Sequence, residues 1–172
     1  MSRMNKKSIA FFNSNDIYPV SADSTLPFEQ HRDIFYLSGV DQEESVLMLC
    51  PSASDSKYRE VLFLKKTDDH IAVWEGPKLN KNQAYETSGI KTVYWLDEME
   101  KIIDEVVNDC DTIFYNNNEH YRAKIEMETR EKRFNKWLEN KFPKKTKERS
   151  NPILQHFRAI KDPIELGLIQ KA

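Results

Sequence analysis

A chain of 172 residues fits a single hydrophobic core, and 39% hydrophobic with 31% charged residues excludes the composition of a disordered chain. A formal net charge of -2 excludes the basic excess that phosphate backbones require, so nucleic acid is not an expected partner. No run approaches the ~20 apolar residues of a membrane span and residues 1–7 lack the apolar core of a signal peptide, so no membrane is expected and the cytoplasm is the expected compartment.

In chain order, short apolar runs rich in β-branched and aromatic residues fall at 9–12, 34–37, 46–50, 61–64, 92–95 and 112–115. Each predicts a buried strand. The first comes so early that an upstream segment is expected to have been removed. The polar loop 51–57 joins two of these runs closely enough for a hairpin, which makes that pair antiparallel and the sheet mixed. Leu96, Met99, Ile102, Ile103, Val106 and Val107 step by threes and fours, the stripe of a helix packed on a sheet.

Residues 121–141 are highly charged, yet Tyr121, Ile125, Trp137 and Leu138 give a long helix a partial apolar face. The run Arg130, Glu131, Lys132, Arg133 mixes both signs and predicts a solvated face. Residues 142–149 read as an exposed connection. Asp162, Pro163 and Glu165 then supply an N-cap acceptor, a first-turn proline and a capping-box glutamate, so a helix starts there. Its Ile164, Leu166, Leu168 and Ile169 need cover, which predicts that the chain has been cut from a longer protein.

Few residues suggest chemistry. Four glycines argue against a phosphate-cradling loop. His31, His70, His120 and His156 are widely separated and show no ligand spacing. Cys50 and Cys110 each lie inside or beside an apolar run and read as buried free thiols. Asp23, Glu29, Asp33 and Asp41 cluster in sequence and could hold a divalent cation in a nuclease-like site, but carboxylates that cap turns explain them more simply. No catalytic residue and no metal ligand is therefore expected in this chain.

The most distinctive stretch runs from Ser21-Ala22-Asp23 through Pro27-Phe28-Glu29-Gln30 and Phe35-Tyr36-Leu37-Ser38-Gly39 to Glu43-Glu44-Ser45-Val46. It resembles the N-terminal domain of the aminopeptidase P family, where a small-residue and Asp loop leads into an aromatic strand, a Ser/Thr-Gly turn and an acidic loop before an aliphatic strand. The likeness continues through Val61-Leu62-Phe63-Leu64, through Ala72-Val73-Trp74-Glu75-Gly76-Pro77 and through Gly89-Ile90. It ends at Phe157-Arg158-Ala159-Ile160-Lys161-Asp162-Pro163-Ile164-Glu165, similar to the signature that opens the family's catalytic domain.

The resemblance implies an α/β domain with a mixed, roughly six-stranded sheet and helices on both faces, spanning residues 1–161, with the family's opening helix missing. Residues 162–172 would begin the first helix of an absent catalytic domain. In that "pita-bread" domain of the creatinase and prolidase class, two divalent metals, usually manganese, would be held by ligands downstream of this chain. The implied parent is a Xaa-Pro aminopeptidase that removes the N-terminal residue preceding proline, and this chain alone is expected to be inactive. Its implied partners are a peptide with proline second, its own catalytic domain and further copies of itself. A tryptophan at a strand end beside a turn can project from the domain or plug its own core, as Trp95 and Trp137 can. The resemblance favours projection for Trp74, as a substrate-binding residue reaching across an oligomer interface. The alternative is a non-enzymatic binding module, because the same architecture occurs in a histone chaperone.

Overall fold

Five of the six apolar runs form strands of one sheet, where branched and aromatic side chains pack on a pleated surface. The computed structural model describes residue 4, residues 7–119 and residues 127–171, with the side chains of Asp69, Ile71 and Trp74 outside that description. The elements are β1 (Ser8–Asn13), a short ribbon of β2 (Pro19–Ser21) and β3 (Ser24–Thr25), α1 (Arg32–Ser38), β4 (Val46–Leu49), β5 (Glu60–Leu64), α2 (Asp69–Glu75) and α3 (Lys81–Ser88). There follow β6 (Thr92–Trp95), α4 (Met99–Val107), β7 (Thr112–Tyr115), α5 (Arg130–Lys141), β8 (Thr146–Arg149), α6 (Asn151–Ala159) and α7 (Pro163–Ile169).

The main sheet has six strands in the order β6-β5-β4-β1-β7-β8. The central β4 is antiparallel to β1 and β5, joined to β5 through the expected hairpin. The pairs β1 with β7, β5 with β6 and β7 with β8 are parallel. Every strand but β4 therefore runs the same way, and their carboxyl ends meet at one edge of the sheet. Ile9, Phe11, Met48, Phe63 and Ile113 face Ile103, Val107 and Leu138 of α4 and α5. Ala10, Phe12, Leu47, Leu62 and Phe114 face Ile34, Ala84 and Leu154 of α1, α3 and α6. The expected mixed sheet with helices on both faces is the observed one.

Four local expectations are corrected. Residues 34–37 lie in α1, because Ile34 and Leu37, three positions apart, face the core while Phe35 and Tyr36 are exposed, a helical and not a strand pattern. His31 caps this helix by accepting from the Asp33 N–H, and Gly39, at φ 68°, closes it with an N–H bond to the Phe35 carbonyl. Residues 142–149 hold β8, an edge strand whose Thr146, Glu148 and Arg149 are exposed, so no apolar run announces it. The charge run 130–133 opens α5 but is not wholly solvated: Glu131 is buried. Trp74 lies in the last turn of α2 and not at a strand end. Tyr121, Ile125 and His120 fall outside the described residues.

Candidate functional site

The carboxyl edge of the sheet, where α/β folds place ligands, gathers buried polar groups. Asn13 ends β1 and Asn116 follows β7, each only 1% exposed. Asn135 of α5 donates to the Asn116 carbonyl at 2.9 Å, and Glu131 accepts the Asn118 N–H at 2.9 Å. Glu131 also faces His31 Nε2 across 3.4 Å. Because His31 Nδ1 accepts the Asp33 N–H at 3.3 Å, the hydrogen-bond network assigns the proton of the neutral ring to Nε2, toward Glu131. The amide oxygens of Asn13, Asn116 and Asn135 are buried and have no hydrogen-bond partner among the described residues. His31 lines both a cavity of about 130 Å³, shared with Asp16 and Glu131, and an open cleft of about 820 Å³, shared with Asn15, Asp33, Glu119 and Arg158. Unsatisfied buried acceptors are costly, and a polar ligand or ordered water is what relieves them.

At the same edge, the acidic loop after α1 clamps the segment carrying Trp74. Gln30 holds the loop by donating to the carbonyls of Val40 at 3.1 Å and Gln42 at 2.9 Å, and it accepts the His31 N–H at 2.7 Å. Gln42 in turn accepts the Leu79 N–H at 2.7 Å. Glu43 and Lys78 form an ion pair whose side chains are 8% and 9% exposed. Lys65, just past β5, bridges Glu44 and Glu75 at 2.8 Å each. Hydrogen bonds donated to Glu44 first, then to Glu75, raise the Lys65 pKa, and the Lys65 ammonium holds the Glu75 carboxyl below the usual carboxylate range. Residues 75–79 are thus pinned to residues 42–44, and Trp74 precedes the first pinned residue. Trp137 packs on one face of the sheet and Trp95 on the other.

A third contact joins distant motifs. Arg158 of α6 pairs with Asp33 of α1 at 3.1 Å and lies 5.5 Å over the Tyr36 ring. Beside it, Phe28, Phe35, Asp162 and Leu168 line an open cleft of about 790 Å³.

The predicted carboxylates do not converge. Asp33 pairs with Arg158, whereas Asp23 is exposed in the turn of the β2–β3 ribbon. Glu29 presents its backbone carbonyl to Asn15, and Asp41 lines the α1–α7 cleft. His70 and His156 are exposed. Among the described residues, no group of three or more His, Cys, Asp or Glu side chains could hold a metal. Sequence reasoning missed the clamp and the polar network, since Gln42 and Lys78 acquire their roles from partners 37 and 35 residues away. Gln30, Glu43, Glu44 and Glu75 had a signal, their places in the quoted Pro27-Phe28-Glu29-Gln30, acidic-loop and Trp74 segments.

The family model described as aminopeptidase P, N-terminal domain, matches residues 1–115. The chain belongs to that family. It is 26% identical over 162 residues to Xaa-Pro aminopeptidase 3 of Rattus norvegicus, covering 92% of this chain and 31% of the relative. It is 26% identical over 153 residues to the Xaa-Pro aminopeptidase of Escherichia coli, covering 88% of this chain and 34% of the relative. The chain therefore spans about a third of the length of these curated relatives. A structure described as an aminopeptidase P from Bacillus anthracis superposes with a TM-score of 0.86 at 23% identity, over 99% of this chain and 40% of that one. Aminopeptidase P of E. coli, solved zinc-substituted in complex with product, superposes with a TM-score of 0.76 at 23% identity, over 99% and 39%. These structural likenesses establish the aminopeptidase P N-terminal fold. No helix among the described residues is long and apolar enough to cross a membrane.

Proposed function

We propose that this chain is the non-catalytic N-terminal domain of a cytoplasmic Xaa-Pro aminopeptidase, walling the substrate cleft and mediating oligomer contacts in an enzyme that removes the residue preceding proline. The observation that carries this reading is the clamp of Lys65, Lys78 and Gln42, which fixes the turn after Trp74 to the acidic loop at the edge where α/β domains bind ligands. A fixed turn presents its neighbouring ring at little entropic cost, and an apolar ring packed on a proline excludes water without needing a polar partner. In this reading Trp74 contacts the peptide, and its last step is reach into the cleft of a neighbouring copy.

The two divalent metals, manganese in this proposal, belong to the catalytic domain. The described residues do not fit them, so no step through the metals is assigned to this chain. Residues 1–161 form the N-terminal domain and residues 162–172 open the catalytic one. Support for that division comes from α7, which has a complete capping box at Asp162 but buries none of its residues and exposes Ile164, Leu166, Leu168 and Ile169.

The deciding experiment is Trp74→Ala in the protein extended through its catalytic domain, read as kcat/KM on Xaa-Pro peptides alongside denaturant unfolding. Turnover or specificity should fall while stability changes by less than about 1 kcal/mol. Unchanged kinetics, or a loss of the ~3 to 5 kcal/mol typical of a core tryptophan, would remove Trp74 from the site.

A further inference from the structure

Two cysteines separated by 60 positions meet in the core: Sγ of Cys50 and Sγ of Cys110 lie 3.6 Å apart, and each residue is 1% exposed. Cys50 directly follows β4 at the mouth of the hairpin, and Cys110 sits in the turn between α4 and β7. Backbone contacts fix both ends. The Cys50 N–H donates to the Arg59 carbonyl at 2.9 Å and its carbonyl accepts the Ala53 N–H at 3.0 Å. The Cys110 N–H donates to the Val107 carbonyl at 3.0 Å, and its own carbonyl is held by Lys145. The sulfurs need to approach by only about 1.5 Å to reach disulfide bonding distance, a shift that side-chain rotation can supply.

We propose that Cys50 and Cys110 are a hydroperoxide-responsive thiol pair, Cys50 attacking and Cys110 resolving, that closes into an intramolecular disulfide. In the first step the Cys50 sulfur attacks one peroxide oxygen. The S–O bond forms as the O–O bond breaks, and the departing oxygen leaves as water or an alcohol with the Cys50 proton. In the second step the Cys110 sulfur attacks the Cys50 sulfenic acid, the S–S bond forms as the S–O bond breaks, and hydroxide leaves as water with the Cys110 proton. Two thiols lose two electrons and one hydroperoxide is reduced by two.

The position of Cys50 at the start of the hairpin loop assigns these roles, because Ser52 and residues 54–57 of that loop are exposed. The Cys50 thiol is held below its usual pKa first by the hydrogen bond from Cys110, with the turn N–H groups of Ala53 and Ser52 adding to it against the opposing effect of burial. The Cys110 thiol is pushed up, first by that same bond and then by burial. That loop follows Cys50 directly, so its local opening admits the oxidant.

The test is intact mass and thiol counting on the chain after brief exposure to near-stoichiometric hydrogen peroxide. The two alkylatable thiols should fall to none, with a mass lower by about 2 Da, a Cys50–Cys110 cross-linked peptide on digestion, reversal by dithiothreitol and a raised Tm. Cys110→Ser should instead stop at a dimedone-reactive sulfenic acid on Cys50, and Cys50→Ser should leave Cys110 unmodified under the same exposure. Persistence of both thiols, over-oxidation without a cross-link, or a link formed only between two chains would overturn the proposal. The wild-type mass and peptide map decide it even if neither serine variant folds.

Discussion

Phe11 and Asn13 sit two positions apart on β1, so their side chains leave the same face of the sheet, and both are essentially sealed from solvent, at 0% and 1% exposure. Phe11 meets the edge of the Phe134 ring at 5.4 Å within the apolar cluster built by α4 and α5. Neither amide atom of Asn13 has a hydrogen-bond partner among the described residues. Over one pleat the sheet passes from close-packed hydrocarbon to polarity that its own side chains do not satisfy. Equal burial thus serves two ends: in the middle of β1 it stabilises the fold, and at the carboxyl edge it seals polar groups beside cavities that the neighbouring Ser14, Asn15 and Asn117 line.

Substituting Phe11 and Asn13 gives the largest contrast in stability. Phe11→Ala should cost about 4 kcal/mol in urea unfolding, the transfer and cavity cost of a buried aromatic. Asn13→Leu should change stability by less than about 1 kcal/mol, because it removes a buried group whose desolvation is uncompensated. An Asn13→Leu loss equal to that of Phe11→Ala would show that the edge is as tightly constrained as the core.

A second contrast lies within the clamp. Lys78→Met leaves the Glu43 carboxylate buried and alone, and should cost about 3 kcal/mol, because breaking a buried ion pair strands one charge. The double variant Lys78→Met with Glu43→Leu should recover most of that loss if the pair is a local charge balance. Recovery failing in a double-mutant cycle would mean that Glu43 supports the acidic loop through more than its lysine.

What the sequence revealed tracks how local each determinant is. The strands β1, β4, β5, β6 and β7 each carry a dense apolar run, and the α4 stripe from Met99 to Val107 repeats at helical spacing, so both could be read in windows of a few residues. The segment 34–37 misled because its aromatic content mimics a strand, while the features that make it α1 are the His31 cap before it and Gly39 after it. β8 was invisible because an edge strand with Lys147, Glu148 and Arg149 carries the charges that keep edges from pairing further. The site was less legible than the fold. Gln42, Lys65, Lys78 and Asn116 are ordinary polar residues until the sheet order brings β5, α2 and the acidic loop to one edge, and the proximity of Cys50 to Cys110 depends on the fold in the same way.

The smallest expected effect concerns the exposed arm of the clamp, where Lys65 and Glu75 are 30% and 44% exposed as side chains. Solvent screening should hold the cost of Glu75→Gln below about 0.5 kcal/mol at neutral pH, unlike the sealed Lys78 pair. Its pH dependence is nonetheless specific. The Lys65 ammonium depresses the Glu75 pKa in the folded chain, so the stabilisation is fully present above the unfolded carboxyl value of about 4.3 and is lost as pH falls through the lower folded value. Lys65, with its pKa raised, stays charged throughout that window. Urea unfolding of wild type and Glu75→Gln at a series of pH values from neutral to acid should therefore show a small gap that closes on acidification, and added salt should narrow it at neutral pH. A gap that persists in acid, or one above about 1 kcal/mol, would place Glu75 with the sealed pair and extend the buried clamp as far as the residue next to Trp74.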